Sequence, residues 1–409
     1  MSRRLPPLRR VMHWVMATLL GLQFASAAAV NILDIWRRKR RKPYRFPTTP
    51  SRTVRAGDNE LTIYTYGEDL YADMLKAIDQ ATSTIHFETF IWKADDTGQR
   101  FKDALIRAAE RGVDVHVVFD DFANLVVKRS FLQLPAPITT YRHPALPRPW
   151  SPKHWGRDHR KILVVDSELG FVGGYNIGSL YATTWRDTHL GIRGPSVAEI
   201  DNAFIDFWNL HRRRHAPELP SSAARVWTGP LTVHRNSPRW QVYPIRNMYL
   251  EAIDKASQRI WLTHAYLIPD EDLIGALFAA VKRGVDVRII VPATSNHVIV
   301  DWLSRGFYTA LLRDGVRLFL YQGAMVHAKT ATIDQTWSTI GTANLDRLSL
   351  WGNYEVNVEI IDEAVARAME DIFTLDSSNT VELTLDAWER RSWVAKFTET
   401  ILSPWRPLF

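Results

Sequence analysis

His159-Arg160-Lys161-Ile162-Leu163-Val164-Val165-Asp166, followed by Gly173-Gly174-Tyr175-Asn176, returns 168 residues later. The second copy reads His327-Ala328-Lys329-Thr330-Ala331-Thr332-Ile333-Asp334, followed by Gly341-Thr342-Ala343-Asn344. An acid keeps the same displacement, Asp187 in the first copy and Glu355 in the second. At one chance in twenty per position, five fixed residues recur on the order of a few times in ten million random starts. The chain is therefore built twice, and the repeat unit decides the fold.

Around this motif the repeat reads as strands and helices. The β-branched run after each Lys predicts a strand, and residues two apart on a strand share a face, so His159 projects with Lys161 and His327 with Lys329. Turns are expected at Ser167-Glu168 and Gln335-Thr336. Upstream, Arg111-Gly112-Val113-Asp114-Val115 matches Arg283-Gly284-Val285-Asp286-Val287. There a helix ends at a C-cap Gly and a buried strand follows. Strand–helix–strand units of this kind predict a duplicated α/β fold with mixed, mainly parallel sheets about a pseudo-twofold. The expected divisions are an N-terminal segment 1–50, a first unit 51–215, a Pro/Ser/Ala-rich junction 216–238, a second unit 239–380 and a tail 381–409.

Each half offers an imidazole, an ammonium and an amide. Across a pseudo-twofold they would set two imidazoles on opposite sides of one tetrahedral centre, with two Lys and two Asn around its oxygens. That suits a phosphodiester, which gains equatorial charge as it reacts. The small-residue corners Gly173-Gly174 and Gly341-Thr342 would let backbone approach the substrate.

The pattern resembles the phospholipase D superfamily, whose signature is His-x-Lys-x4-Asp-x6-Gly-Gly/Ser-x-Asn, normally present twice. Within it, Phe171 to Ile177 and Trp185 to His189 are similar to the bacterial cardiolipin synthases. The resemblance spans roughly residues 60–375. It implies ping-pong transfer of a phosphatidyl group, with His159 as nucleophile and His327 as acid and base. Lys161, Lys329, Asn176 and Asn344 would hold phosphate oxygens, and Asp187 and Glu355 would bond imidazole Nδ1. Asp166 and Asp334 complete the catalytic signature, although a turn-buttressing role suits them better. The implied substrates are phospholipids, with phosphatidylglycerol in both roles giving cardiolipin. Water as acceptor would make the enzyme a phospholipase D, and a nuclease could use the same two motifs. The chemistry needs no metal and no cofactor.

Composition narrows these classes. With no Cys among 409 residues, thiolate zinc sites, iron–sulfur clusters, disulfides and cysteine nucleophiles are excluded. The net charge of +7 is local: residues 1–50 hold eleven Lys or Arg and one Asp, which leaves −3 for the remainder. A groove tracking nucleic acid would make the body basic, so nucleic acid is not expected as partner. The basic residues flank the apolar stretch Val11–Ile35, which reads as a membrane-anchoring helix, with a cleaved signal peptide or an interfacial helix as alternatives. The larger basic cluster, Arg37 to Arg45, places the body on the cytoplasmic side of a bacterial inner membrane, against anionic lipid.

Weaker signals lie elsewhere. His86, Glu88 and His264 are candidates to line the pocket or to be satisfied core residues. Arg142 to Trp155 mixes basic and aromatic residues, suiting lipid headgroups or stacked bases. Asp386 and Glu389 read as a capping pair opening a helix, on which Trp393, Phe397 and Ile401 would face a membrane.

Overall fold

In this computed structural model, residues 45–148, 150–222, 229–402 and 404 are described, together with scattered positions between 12 and 28. Much of Val11–Ile35, the cluster Arg37–Lys42 and the end of the aromatic tail lie outside them. Among the described residues no helix is long and apolar enough to cross a membrane.

Two eight-stranded sheets repeat one plan. The first half holds β1 (Arg52–Ala56), β2 (Asn59–Tyr64), β3 (Thr84–Thr89), β4 (Asp114–Asp120), β5 (Thr139–His143), β6 (Ile162–Val165), β7 (Leu169–Gly173), β8 (Trp185–Arg186) and β9 (His189–Arg193). The second holds β10 (Leu231–Asn236), β11 (Arg259–His264), β12 (Leu267–Ile268), β13 (Asp286–Pro292), β14 (Arg317–Tyr321), β15 (Met325–Val326), β16 (Lys329–Ile333), β17 (Trp337–Gly341), β18 (Leu345–Asp346), β19 (Glu355–Ile361) and β20 (Thr380–Leu383). The strand orders β9-β7-β6-β3-β4-β5 and β19-β17-β16-β11-β13-β14 coincide, with β2 and β1 added at one edge of the first sheet, and β10 and β20 closing the second. Leu231–Asn236, within the expected junction, thus belongs to the second sheet.

The sheets are mixed but mainly antiparallel, which corrects the expectation. Within the two large sheets parallel pairing is confined to β3-β4-β5 and β11-β13-β14, and the short pairs β8-β15 and β12-β18 are parallel as well. Helical crossovers announce themselves in sequence as strand–helix–strand, whereas the motif strands β6-β7 and β16-β17 are joined by tight turns and must run antiparallel. Those turns sit one residue earlier than expected, with positive φ at Asp166, Ser167, Asp334 and Gln335.

The helices are α1 (Gly67–Gln80), α2 (Asp96–Glu110), α3 (Ser179–Thr183), α4 (Val197–His211), α5 (Pro244–Lys255), α6 (Glu271–Lys282), α7 (Val298–Arg313), α8 (Arg347–Trp351), α9 (Glu363–Ser377), α10 (Leu385–Glu389) and α11 (Trp393–Leu402). Asp95 and Asp270 cap α2 and α6, and Gly112 and Gly284 end those helices with φ of 93° and 87°. Thr384, not Asp386, caps α10.

One apolar cluster joins the halves. Val172, Leu190 and Ile192 of the first sheet pack with Ile340, Val356 and Val358 of the second, all at most 1% exposed. Each such side chain contributes roughly 1.5–3 kcal/mol on burial, so the pairing of halves is part of the core itself.

Candidate active site

β6 leaves His159 antiparallel to β3, so His159 lies at the end of the sheet where β3, β4 and β5 deliver their loops. The second half repeats this with β16 and β11. What joins the two ends is a reciprocal backbone contact. The His159 N–H donates to Tyr354 O at 3.1 Å, and the His327 N–H donates to Arg186 O at 2.7 Å. Subtracting the repeat displacement makes Tyr354 the counterpart of Arg186. A matching bridge pairs Asp158 with Tyr354, as β15 pairs with β8.

Because Asp187 follows Arg186 and Glu355 follows Tyr354, this contact crosses the carboxylates over. His159 Nδ1 lies 3.0 Å from both Glu355 carboxylate oxygens, and His327 Nδ1 lies 2.6 Å from Asp187 Oδ2. Each imidazole is oriented through Nδ1 by a carboxylate of the other half. Lys161 Nζ donates to His159 O at 2.5 Å, and Lys329 Nζ donates to His327 O. Lys329 Nζ also stands 2.9 Å from His327 Nδ1. The hydrogen on that nitrogen belongs to Asp187, so the ammonium there acts through its charge.

The three titrating pairs are not equal. Burial, then the Lys161 and Lys329 ammonium groups, hold His159 well below its ordinary range. Burial and Lys329 push His327 down to about 3, so both rings are neutral before an anion arrives. Burial lowers Lys161 to about 7 and Lys329 to about 8. Burial also pushes Glu355 up to about 8. It acts on Asp187 in the same direction, but Lys329 and His327 outweigh it and hold that carboxyl below its usual range.

Asn176 and Asn344 are both buried. Asn176 Oδ1 accepts from the Ile91 N–H at 3.1 Å, which leaves its NH2 free, while Asn344 Oδ1 has no partner. Phe90 stands 4.7 Å from the His159 ring, and Trp185 5.0 Å from His327. Neither aromatic was singled out from sequence as a wall of the site, although Trp185 adjoins the motif.

Three groups of candidates have other work. Asp166 accepts from the backbone N–H groups of Thr82, Ser83 and Thr84 and from two hydroxyls, and Asp334 accepts from Ser257, Gln258 and Arg259. Their oxygens are saturated at the far end of the motif strands, so they are not catalytic. Gly173, Gly174 and Gly341 do not open backbone to a ligand: a Cβ on them would strike His189, the Asp187 carboxylate and Asn357 respectively. Thr342 Oγ1 donates to Glu355 Oε2 at 2.5 Å. Gly174 thus makes room for the Asp187 carboxylate and Thr342 holds that of Glu355, while Gly173 and Gly341 make room for His189 and Asn357 of the neighbouring strands. His86 bonds Asp201 and stacks on Phe204, and Glu88 pairs with Arg160 at 2.5 Å, so both are core residues. His264 is buried beside Tyr249, 5.8 Å between rings.

An unforeseen ion pair ties the halves. Arg186 reaches Asp376 of α9 through two bonds of 2.9 and 2.7 Å, and its guanidinium also bonds Asp187 O. Nothing in the sequence links residues 190 positions apart.

The chain is similar to known proteins in sequence and in fold. The family described as cardiolipin synthase, PLD-like domain, matches residues 74–208 and 249–376. A cardiolipin synthase of Clostridium perfringens is 30% identical over 374 residues, 86% of this chain and 77% of that one. Cardiolipin synthase 2 of Staphylococcus epidermidis is 32% identical, covering 85% and 74%. In structure, phosphatidylserine synthase of Haemophilus influenzae superposes with a TM-score of 0.66 at 14% identity, over 88% of this chain and 95% of that one, a likeness of fold. The duplicated sheets, the two crossed histidine–carboxylate pairs and these matches agree: the chain belongs to the cardiolipin synthase family of PLD-like proteins.

Proposed function

We propose that this protein transfers the phosphatidyl group of one phosphatidylglycerol to the headgroup hydroxyl of another, giving cardiolipin and glycerol. The observation that carries the reading is the crossed pairing of His159 with Glu355 and His327 with Asp187, which gives two oriented imidazoles in one site. The relatives that match over about three quarters of their own length are named cardiolipin synthases, which supports the choice of lipid.

In the first step His159 Nε2 attacks phosphorus, the P–O bond to glycerol breaks and a P–N bond forms. His327 gives its proton to the departing glycerol oxygen. In the second, His327 takes the proton of an incoming phosphatidylglycerol hydroxyl, whose oxygen attacks phosphorus as the P–N bond breaks. Asp187, held ionised, favours the imidazolium that His327 must carry, while Glu355, pushed towards neutrality, leaves His159 an uncharged nucleophile. The diester anion between Lys161 and Lys329 offsets the charge that keeps both rings neutral in the empty site. Asn176 and Asn344 complete the grip on the phosphoryl oxygens.

The same reading makes Val11–Ile35 a membrane anchor with the body on the cytoplasmic side. It also makes α11 an interfacial helix, since Trp393, Val394 and Phe397 are exposed while Leu402 is buried. Purified protein in phosphatidylglycerol micelles should yield cardiolipin and glycerol in equal amounts, and His159→Ala and His327→Ala should yield neither at a comparable rate. Phosphatidic acid alone would make water the acceptor, and cleavage of DNA in place of lipid would overturn the assignment.

A further inference from the structure

The loops that β4 and β5 deliver beside His159 carry side chains that the mechanism does not use. In the first, Phe122, Leu125 and Val126 are 53%, 66% and 84% exposed; in the second, Leu146, Trp150 and Trp155 are 77%, 82% and 51% exposed. The two loops form one surface. Arg157 donates to Pro144 O and Ala145 O, stacks over Phe122 at 5.6 Å and lies 3.6 Å from Asp120. Arg142 bonds Asp121, and the Trp155 indole bonds Arg148 O. Asp120 also accepts from the Asp158 N–H, so the patch is fastened to the backbone next to His159.

Its charge is equally local. Residues 121–157 contain six Lys or Arg and a single acid, Asp121, within a body that is net acidic. Lys128, Arg129 and Arg148 are exposed, and Asp121 is already paired with Arg142. The corresponding stretch of the second half, residues 293–326, holds three Arg and two Asp, and α7 fills the place of the first loop.

We propose that this patch is the surface by which the enzyme docks on an anionic lipid bilayer, with Leu125, Val126, Leu146 and Trp150 entering the headgroup–acyl boundary and the basic residues meeting lipid phosphate. It rests on the lipid reading above and deepens it by fixing which face of the body meets the membrane. Apolar side chains with interleaved Lys and Arg are what an anionic interface binds. A nucleic acid strand would use the aromatics and the charges, but it would gain nothing from three solvent-exposed aliphatic side chains.

The absence of Cys permits a direct test on the full chain. Val126→Cys and Leu146→Cys, each labelled with an environment-sensitive fluorophore, should blue-shift and be quenched in vesicles containing phosphatidylglycerol and bromine-labelled lipid. Glu168→Cys, in the β6–β7 turn at the opposite end of the sheet, should do neither. Unquenched labels at 126 and 146, or labels that respond to a single-stranded oligonucleotide and not to vesicles, would overturn the proposal. In a second arm, Leu125→Asp with Val126→Asp should lower kcat/KM on long-chain vesicles tenfold or more, and change turnover of dispersed short-chain phosphatidylglycerol by less than twofold. An equal loss on both substrates would also overturn it. If the unaltered enzyme failed to turn over the short-chain lipid, the proposed function would fall, whereas the quenching would still report docking.

Discussion

In the first half the catalytic corner ends in Gly174, and the Asp187 carboxylate stands against it. In the second half the corner ends in Thr342, and the longer Glu355 accepts a hydrogen bond from its hydroxyl. The substitutions go together: the shorter acid needs the empty space of a glycine, and the longer one is steadied by an added hydroxyl. Arg186 adds to the difference, because it braces Asp187 against α9, whereas its counterpart Tyr354 turns its hydroxyl to Lys153 O at 3.1 Å. Two copies of one motif have thus acquired different carboxylates, one held below its usual range and one pushed towards neutrality, and the proposed mechanism gives them different proton chemistry.

The sharpest break in the comparison comes from the imidazoles themselves. His159→Ala should lower cardiolipin formation by about 10,000-fold or more, since no nucleophile remains. His327→Ala should lose about 100- to 10,000-fold, the usual range for a general acid and base. The orienting acids should separate next. Asp187→Asn should cost about 100-fold or more in kcat, and Glu355→Gln about tenfold, because only Asp187 is required as an anion; steady-state kinetics on both variants would show it. If the losses are equal, the halves are chemically equivalent.

The pH profile tests the lysines. Lys161 and Lys329 hold their protons below about 7 and 8, and only the ammonium form grips phosphate. Affinity is therefore full on the acid side and should fall as pH rises, with KM for the lipid climbing from about pH 7, towards about tenfold per unit between about 7 and 8, and more steeply above about pH 8 where both ammonium groups are lost. Thr342→Val removes a hydrogen bond to a buried carboxylate and should cost about 1–1.5 kcal/mol, close to tenfold, seen as kcat. Smallest in activity are Asp166→Ala and Asp334→Ala. Each should cost about 2 kcal/mol of stability in a melting experiment, with kcat of the folded fraction unchanged and the halves indistinguishable.

The chemistry-bearing residues were legible because a phosphodiester site needs them at set strand spacings, and the duplication marked them twice. Helix ends at Gly112 and Gly284 were legible for the same local reason. What escaped depended on the interface between halves. Spacing along the chain cannot say which acid meets which histidine; that is decided where β8 meets β15 and Asp158 meets Tyr354. The glycines were read towards the ligand, yet they answer to a neighbouring strand. The turns after the two motif strands were legible, but the antiparallel majority of the sheets was hidden because β2-β9, β3-β6, β10-β19 and β11-β16 pair strands far apart in sequence, with no local turn to announce them. Trp185 gave a residue type without a direction.

The division of labour between the histidines can be tested without a general acid. Phosphatidyl-p-nitrophenol has a leaving group that departs without a proton, so His327→Ala should release one equivalent of nitrophenol in a burst and then stall. Mass spectrometry of that protein should find the phosphatidyl group on His159, and His159→Ala should give neither burst nor adduct. An adduct on His327, or a full burst from His159→Ala, would contradict the assignment and reverse the roles of the two halves.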